Sequence, residues 1–290
     1  MAFPVTQINE PSDAGGTTCQ AGSLLVGFRT GGVVTVFDLD TETTSAWQMT
    51  SPSGSHELNN PATPWMDPAT GLVWTTFSTF TTTALMFVRF DPTTGATAYY
   101  PTASLSYSGG SRVAVVGDFV VSFTGGQITR FDKTTGTVTA TRGTGYPNVT
   151  RPWVHSNTVY VRWGGYYGLG KYSPATNTWS FVSESGIGGA IANAQPLILG
   201  GSAYVTRSGG GGVIVTDLAT ESASLITVTT GFLGAALALH TDGRIYSKPS
   251  STLVGCWDPN TLEVASTAQA GASVLGVAYN GFVYFPSMAT

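Results

Sequence analysis

Along this chain apolar positions come in short runs of β-branched and aromatic residues, broken every few residues by Gly, Pro, Asn, Asp or Ser. Val33-Val34-Thr35-Val36, Leu85-Met86-Phe87-Val88, Gln127-Ile128-Thr129 and Val213-Ile214-Val215 are of this kind. After a polar gap follow Ala98-Tyr99-Tyr100, Val138-Thr139-Ala140, Trp179-Ser180-Phe181-Val182 and Ala223-Ser224-Leu225-Ile226. The lengths and residue types are those of strands, and no stretch repeats its apolar positions at helical spacing.

The gap between paired runs holds one phrase, repeated six times: Phe37-Asp38-Leu39-Asp40-Thr41, Phe90-Asp91-Pro92-Thr93-Thr94-Gly95, Phe131-Asp132-Lys133-Thr134-Thr135-Gly136, Tyr172-Ser173-Pro174-Ala175-Thr176, Thr216-Asp217-Leu218-Ala219-Thr220 and Trp257-Asp258-Pro259-Asn260-Thr261. An Asp or Ser side chain can accept a hydrogen bond from the N–H two residues on. Pro presets φ, and Gly or Asn near the end tolerates positive φ, so the phrase reads as a hairpin turn. Successive copies are 53, 41, 41, 44 and 41 residues apart. Roughly 12 residues before each turn sits another strand, and a seventh copy of it ends the series: Ser23–Val26, Gly71–Trp74, Gly117–Val120, Asn157–Tyr160, Gly201–Tyr204, Gly243–Tyr246 and Gly281–Tyr284. Ahead of most lies a smaller apolar run, such as Arg112–Val116 or Ala235–Leu239, suited to the crowded inner edge of a blade.

Four strands per 41-residue repeat predict an all-β β-propeller. Seven second strands in 290 residues favour seven blades, with six as the alternative. Residues 1–290 then form one domain, in which 1–22 is an N-terminal closing segment and Ala2–Ile8 supplies the closing strand.

Composition narrows the partners. Only 10% of residues are charged, with net charge −4 at pH 7 and no basic run, which argues against nucleic acid. The apolar runs are too short to span a bilayer as helices, so no membrane insertion is expected. Met1-Ala2-Phe3-Pro4 carries no Sec signal pattern. The Thr/Ser/Gly-rich, Lys-poor make-up nevertheless fits work outside a cell, as a virion or extracellular protein. Cys19 and Cys256 read as two ordinary thiols rather than a disulfide.

Candidate chemistry is sparse. His56, His155 and His240 are scattered, with His155 and His240 placed in first–second turns. No metal site, cofactor or catalytic residue is assigned. Aromatics set among Gly and Ser in second–third loops and blade crossings resemble adaptable recognition surfaces. On that ground Tyr107, Tyr146, Trp153, Tyr166, Tyr167 and Phe232 are the candidate ligand-binding residues. Arg112, Arg151 and Trp153 are placed near the axis, where innermost strands converge.

Tyr172-Ser173-Pro174-Ala175-Thr176-Asn177-Thr178-Trp179 resembles the third-to-fourth-strand segment of kelch-type repeats. Phe90–Gly95 and Phe131–Gly136 resemble the turns of quinoprotein-like bacterial propellers. The Gly-Gly doublet of kelch repeats is absent from its usual place, and no quinone-site residues have a match. The resemblance implies the fold. The composition is similar to that of proteins from phages infecting GC-rich hosts, and the leading expectation is a non-enzymatic propeller in a bacteriophage tail. Its partners would be other virion proteins or a host surface glycan, with homo-oligomers arising through assembly. The alternative is an extracellular lyase or hydrolase acting on glycans at the propeller axis.

Overall fold

The computed structural model describes residues 17–50, 58–59, 61–79, 84–106, 112–124, 126–143, 151–162, 168–183, 187, 196–207, 212–227, 237–250, 253–259, 264–268 and 277–284. The Ala2–Ile8 closing strand expected from the sequence lies outside them. Two compact units divide the chain: Asp13–Tyr160 with Lys171–Ser180, and Met1–Ser12 with Val161–Gly170 and Phe181–Thr290. The division runs through the strands of the fourth sheet rather than through a linker, and each unit is treated by itself below.

The first sheet pairs β1 (Thr17–Ala21), β2 (Leu24–Phe28), β3 (Val33–Asp38) and β4 (Thr43–Gln48) in sequence order. The second holds β5 (Leu58–Asn59), β6 (Trp65–Met66), β7 (Val73–Thr79), β8 (Ala84–Phe90) and β9 (Thr97–Ser106). The third orders β10 (Arg112–Val116), β11 (Phe119–Thr124), β12 (Gln127–Asp132) and β13 (Val138–Gly143). The fourth orders β14 (Trp153–His155), β15 (Thr158–Arg162), β16 (Gly168–Ser173) and β17 (Thr178–Ser183). The fifth orders β18 (Leu197–Leu199), β19 (Ser202–Thr206), β20 (Val213–Asp217) and β21 (Ala223–Ile226). The sixth orders β22 (Leu237–Leu239), β23 (Ile245–Ser250), β24 (Leu253–Trp257) and β25 (Val264–Ala268). A last pair, β26 (Val277–Tyr279) and β27 (Phe282–Tyr284), stays two-stranded among the described residues.

The fold is thus an all-β propeller with six blades of four-stranded antiparallel sheets, the smaller of the two counts weighed from the sequence. All seven second strands exist as β2, β7, β11, β15, β19, β23 and β27. Among the described residues the seventh belongs to the β26–β27 hairpin alone, so counting second strands overcounts the six blades by one.

The 53-residue first step has a structural correlate in the second sheet. Its innermost strand is split: Leu58 and Asn59 pair with Thr79 and Ser78, whereas Trp65 and Met66 pair with Trp74 and Val73. More residues lie between the halves than on β7 opposite, and they include Pro61 and Pro64, which have no N–H to give a ladder. The ladder is irregular there, held by the Ala62 N–H donating to the Thr76 carbonyl at 2.8 Å, and strand pairing resumes at Trp65.

Packing within the first unit follows the two-residue period of a strand. On β7 and β8, Phe77, Met86, Val88 and Phe90 join Val26, Phe28, Val34 and Val36 of the first sheet in one buried cluster. The alternate positions Trp74, Leu85 and Phe87 join Val113, Val115, Val120 and Phe131 of the third. A blade buried on both faces must be apolar on both, which is why β8 reads as a continuous apolar run. Phe28 meets Phe77 and Phe90 edge-on, with ring centroids 6.1 and 5.7 Å apart. In the second unit Val213, Leu237, Ile245 and Trp257 form the corresponding layer between the fifth and sixth sheets.

The repeated phrase folds as its chemistry dictates. Oδ1 of Asp38, Asp91, Asp132 and Asp217 accepts the N–H two residues on, at 2.8, 2.9, 2.9 and 2.9 Å. The N–H of the Thr three places on reaches the same oxygen at 3.4, 3.3, 2.9 and 2.7 Å. The hydroxyls of Thr41, Thr135, Thr176 and Thr220 then pair with those of Thr43, Thr137, Thr178 and Ser222 at 2.7–2.8 Å. Thr41, Thr135 and Thr220 are thus used twice, through N–H and hydroxyl, while the Thr94 hydroxyl donates to Asp91 Oδ2 at 2.7 Å instead.

Candidate functional site

Carboxylates of the repeated turns are committed to their own backbone. Hydrogen bonds from the Thr93 and Thr94 hydroxyls and N–H groups pull the Asp91 carboxyl down to about 2. The Asp40 N–H lowers Asp38, the Thr135 N–H lowers Asp132, and the Thr220 N–H lowers Asp217. A further Asp-x-x-Thr, Asp67-Pro68-Ala69-Thr70, occupies a first–second turn instead, and Ala69 N–H donates to Asp67 at 3.0 Å. Burial pushes the Asp67 carboxyl up, but the Lys133 ammonium at 2.8 Å, the Ala69 N–H and the Thr70 hydroxyl more than offset it. Asp67 and Lys133 tie the first–second turn of the second sheet to the third–fourth turn of the third, as expected if both kinds of turn share a face.

The opposite ends of the innermost strands differ in character. Four of these strands neighbour one another in the first unit, β1 beside β6, β6 beside β10, and β10 beside β14. Thr63 bridges Arg112 in parallel register, with the Val113 N–H donating to the Thr63 carbonyl at 3.2 Å. Near the starts of the four strands stand Thr18, Thr63, Arg112 and Arg151, all polar and 5–9% exposed. Arg151 donates through Nη1 to the Thr18 carbonyl at 3.1 Å. Burial, and then the charge of Arg112, push the Arg151 guanidinium down to about 10. Beside it, burial drives the Cys19 thiol up to about 12, slightly countered by Arg151. This polar end of the innermost strands is the candidate site. A guanidinium is a planar fork of donors suited to hydrogen-bonding an oxyanion.

The six residues singled out from the sequence fare unequally. Trp153 is 2% exposed, opens β14 and stacks on Tyr160 with ring centroids 5.6 Å apart. Tyr107, Tyr146, Tyr166, Tyr167 and Phe232 lie outside the described residues. Arg112 and Arg151, placed near the axis from the sequence, do stand on neighbouring innermost segments, whereas Thr18 and Thr63 were not anticipated. A signal for them existed: Thr63-Pro64-Trp65 and Arg151-Pro152-Trp153 repeat one phrase at the same point of two blades. In both copies the Trp then pairs across the ladder with an aromatic, Trp65 with Trp74 and Trp153 with Tyr160.

Among the histidines, His155 ends β14 and His240 follows β22, both in first–second turns as expected. His240 Nε2 lies 2.6 Å from the Gly281 carbonyl, and the Asp242 N–H donates to its Nδ1 at 3.2 Å. The Tyr246 hydroxyl donates to Asp242 at 3.1 Å, and burial with that carboxylate drives the phenol up to about 12. This cluster fastens the turn after β22 to the turn after β26. Among the described residues no three or more His, Cys, Asp or Glu gather as metal ligands, and no helix is long and apolar enough to cross a membrane. Cys19 and Cys256 are both buried, and neither is in a disulfide.

No family model and no curated protein sequence matches the chain. Solved structures do. BamB from Moraxella catarrhalis superposes with a TM-score of 0.56 at 14% identity, covering 92% of this chain and 77% of that one. The computationally designed Ika8 protein gives 0.60 at 14% identity, covering 94% and 93%. An extracellular domain from B. thetaiotaomicron gives 0.62 at 14% identity, covering 90% of this chain and 37% of that one. At such identity the likeness establishes the propeller fold alone, a fold compatible with a non-enzymatic binding or structural role. The kelch-like and quinoprotein-like turns carry the same fold-level content and no family assignment.

Proposed function

We propose that the chain is a non-enzymatic binding and structural propeller, a component of a phage tail that contacts a host surface glycan or a neighbouring virion protein. The observation that carries this reading is the division of labour between turns and loops. Local donors lower the Asp38, Asp91, Asp132 and Asp217 carboxyls, which supports their reading as parts of a rigid frame. The sequence segments around Tyr107, Tyr146, Tyr166, Tyr167 and Phe232, expected as the loops and crossings of the other face, vary in length and set rings among Gly and Ser. A Lys-poor, Thr- and Gly-rich surface supports work outside a cell, in a virion or extracellular setting. It supports assembly into homo-oligomers or larger particles rather than contact with nucleic acid or insertion into a membrane.

A second reading, an extracellular lyase or hydrolase acting on glycans at the axis, draws on the buried Arg112 and Arg151. Those groups would orient an acidic sugar. A glycan array with the purified chain, run beside a Tyr166→Ala/Tyr167→Ala variant, tests the leading reading. Retention of a defined glycan by the parent and its loss in the variant is the expected result. Equal retention by both would remove the loops from recognition.

A further inference from the structure

Asn280 and Gly281 form the two-residue connection of the last hairpin, between the paired Tyr279 and Phe282. Both have positive φ, +46° and +76°, as a type I′ turn requires, and both are exposed. Asn-Gly suits that turn best. It is also the pair in which a main-chain nitrogen most readily attacks the preceding side-chain amide, because glycine puts no Cβ in the way. Asn280-Gly281 is the sequence's only Asn-Gly. Two other asparagines take positive φ in turns, Asn157 at +59° and Asn177 at +55°, but the β-branched Thr158 and Thr178 follow them. The Asn177 side-chain oxygen also accepts from the Tyr172 hydroxyl at 2.7 Å. Attack at Asn280 requires a rotation of its main chain that breaks the turn, so the reaction proceeds from the opened hairpin. Opening is within reach there: among the described residues β26 and β27 pair only with each other, and Phe282 is 65% exposed. One fastening of the closed turn is His240, whose Nε2 lies 2.6 Å from the Gly281 carbonyl.

We propose that Asn280 is a site of spontaneous deamidation, and that its isoaspartate product unfastens the last hairpin from the turn after β22. The Gly281 nitrogen bonds to Asn280 Cγ and gives up its proton, while the Cγ–Nδ2 bond breaks and ammonia leaves. Water then opens the five-membered imide. Cleavage between the Gly281 nitrogen and Cγ yields aspartate on an unchanged main chain. Cleavage between that nitrogen and the original peptide carbonyl yields isoaspartate, which carries the chain through Cβ and Cγ. Both products add a negative charge, but only the second adds an atom to the main chain of a two-residue turn. In that form the Gly281 carbonyl leaves His240, because a lengthened connection no longer matches the pairing of Tyr279 with Phe282.

The test incubates the whole chain at mildly alkaline pH and follows each asparagine by peptide mass spectrometry. Enzymatic methylation of isoaspartyl carboxylates tells the two products apart. Asn280 should lose its amide ahead of Asn157 and Asn177, and should lose it faster in urea than in the folded chain. The isoaspartate form, separated by its added charge, should lose amide-hydrogen protection across 277–284 and shift the His240 ring signals in NMR. Asn280→Asp carries the same charge on an unlengthened main chain and should keep both. An Asn280 amide that persists in the folded chain, or goes no sooner than those of Asn157 and Asn177, would overturn the proposal. An isoaspartate form as protected as the parent, or an Asn280→Asp chain that loses as much protection as the isoaspartate form, would overturn it equally.

Discussion

Gly95 and Gly136 close the third–fourth turns of the second and third sheets in one phrase, Asp-x-Thr-Thr-Gly, and share one backbone. Their φ angles are +75° and +69°, and each N–H donates to the Asp carbonyl four residues back at 2.9 Å. Their surroundings differ. A Cβ on Gly95 would stand 2.2, 2.4 and 2.6 Å from Cε3, Cζ3 and Cδ2 of Trp47, while at Gly136 nothing lies within 4 Å. Alanine at either site meets the left-handed backbone penalty, about 1 kcal/mol. At residue 95 the indole must also retreat to ordinary carbon–carbon separation, ~3.5 Å. Overpacking of that kind adds about 1–3 kcal/mol. Gly136→Ala should therefore cost about 1 kcal/mol and Gly95→Ala about 2–4 kcal/mol. Urea titrations read by an unchanged m-value and a lowered midpoint measure both. In a Trp47→Leu background, the cost of Gly95→Ala should fall towards that of Gly136→Ala. Equal costs for the two alanines, or no relief from Trp47→Leu, would refute the packing of Trp47 over the neighbouring blade's turn.

Three further outcomes are expected. Lys133→Met strands the Asp67 carboxylate with only local donors and should cost about 1.5–3 kcal/mol, the worth of a hydrogen bond to a charged group. Asp67→Asn with Lys133→Met in a double-mutant cycle should recover part of it, and a coupling near zero would remove the pair from the fold's support. Because the Asp91 carboxyl sits lower in the folded chain than in the unfolded one, its contribution is complete above the unfolded value, about pH 4. It is lost as the pH falls towards about 2, so the acid-unfolding curve of Asp91→Ala should be flatter across that window. Buried and raised to about 12, the Cys19 thiol should resist iodoacetamide in the native chain and react on unfolding. Rapid native labelling at Cys19, mapped by mass spectrometry, would contradict its placement.

Much of the fold was legible because the propeller writes its local rules once per blade. The Asp side chains that close the third–fourth turns at Asp38, Asp91, Asp132 and Asp217, and the Gly or Asn with positive φ that opens second strands at Gly71, Gly117, Asn157, Gly201, Gly243 and Gly281, are local demands. The blade count was less legible, since Phe282–Tyr284 is a good strand whether it heads a blade or a hairpin. Asp67 carries the same phrase in another turn, because Asx chemistry serves any tight turn. Thr18, Thr63, Arg112 and Arg151 stand on segments tens of residues apart in sequence, and a linear pattern does not say which innermost segments are neighbours. Trp153 illustrates the same limit: its ring packs on Tyr160 across a ladder that only the register discloses.

Binding without turnover is the account's central claim, and product analysis tests it directly. Host surface polysaccharide, incubated with the chain at high concentration and then separated by size, should co-migrate with the protein and keep its full length. Shortened polysaccharide, with unsaturated or newly reducing ends accumulating in proportion to protein and time, would contradict the claim and move the function to an enzyme at the axis.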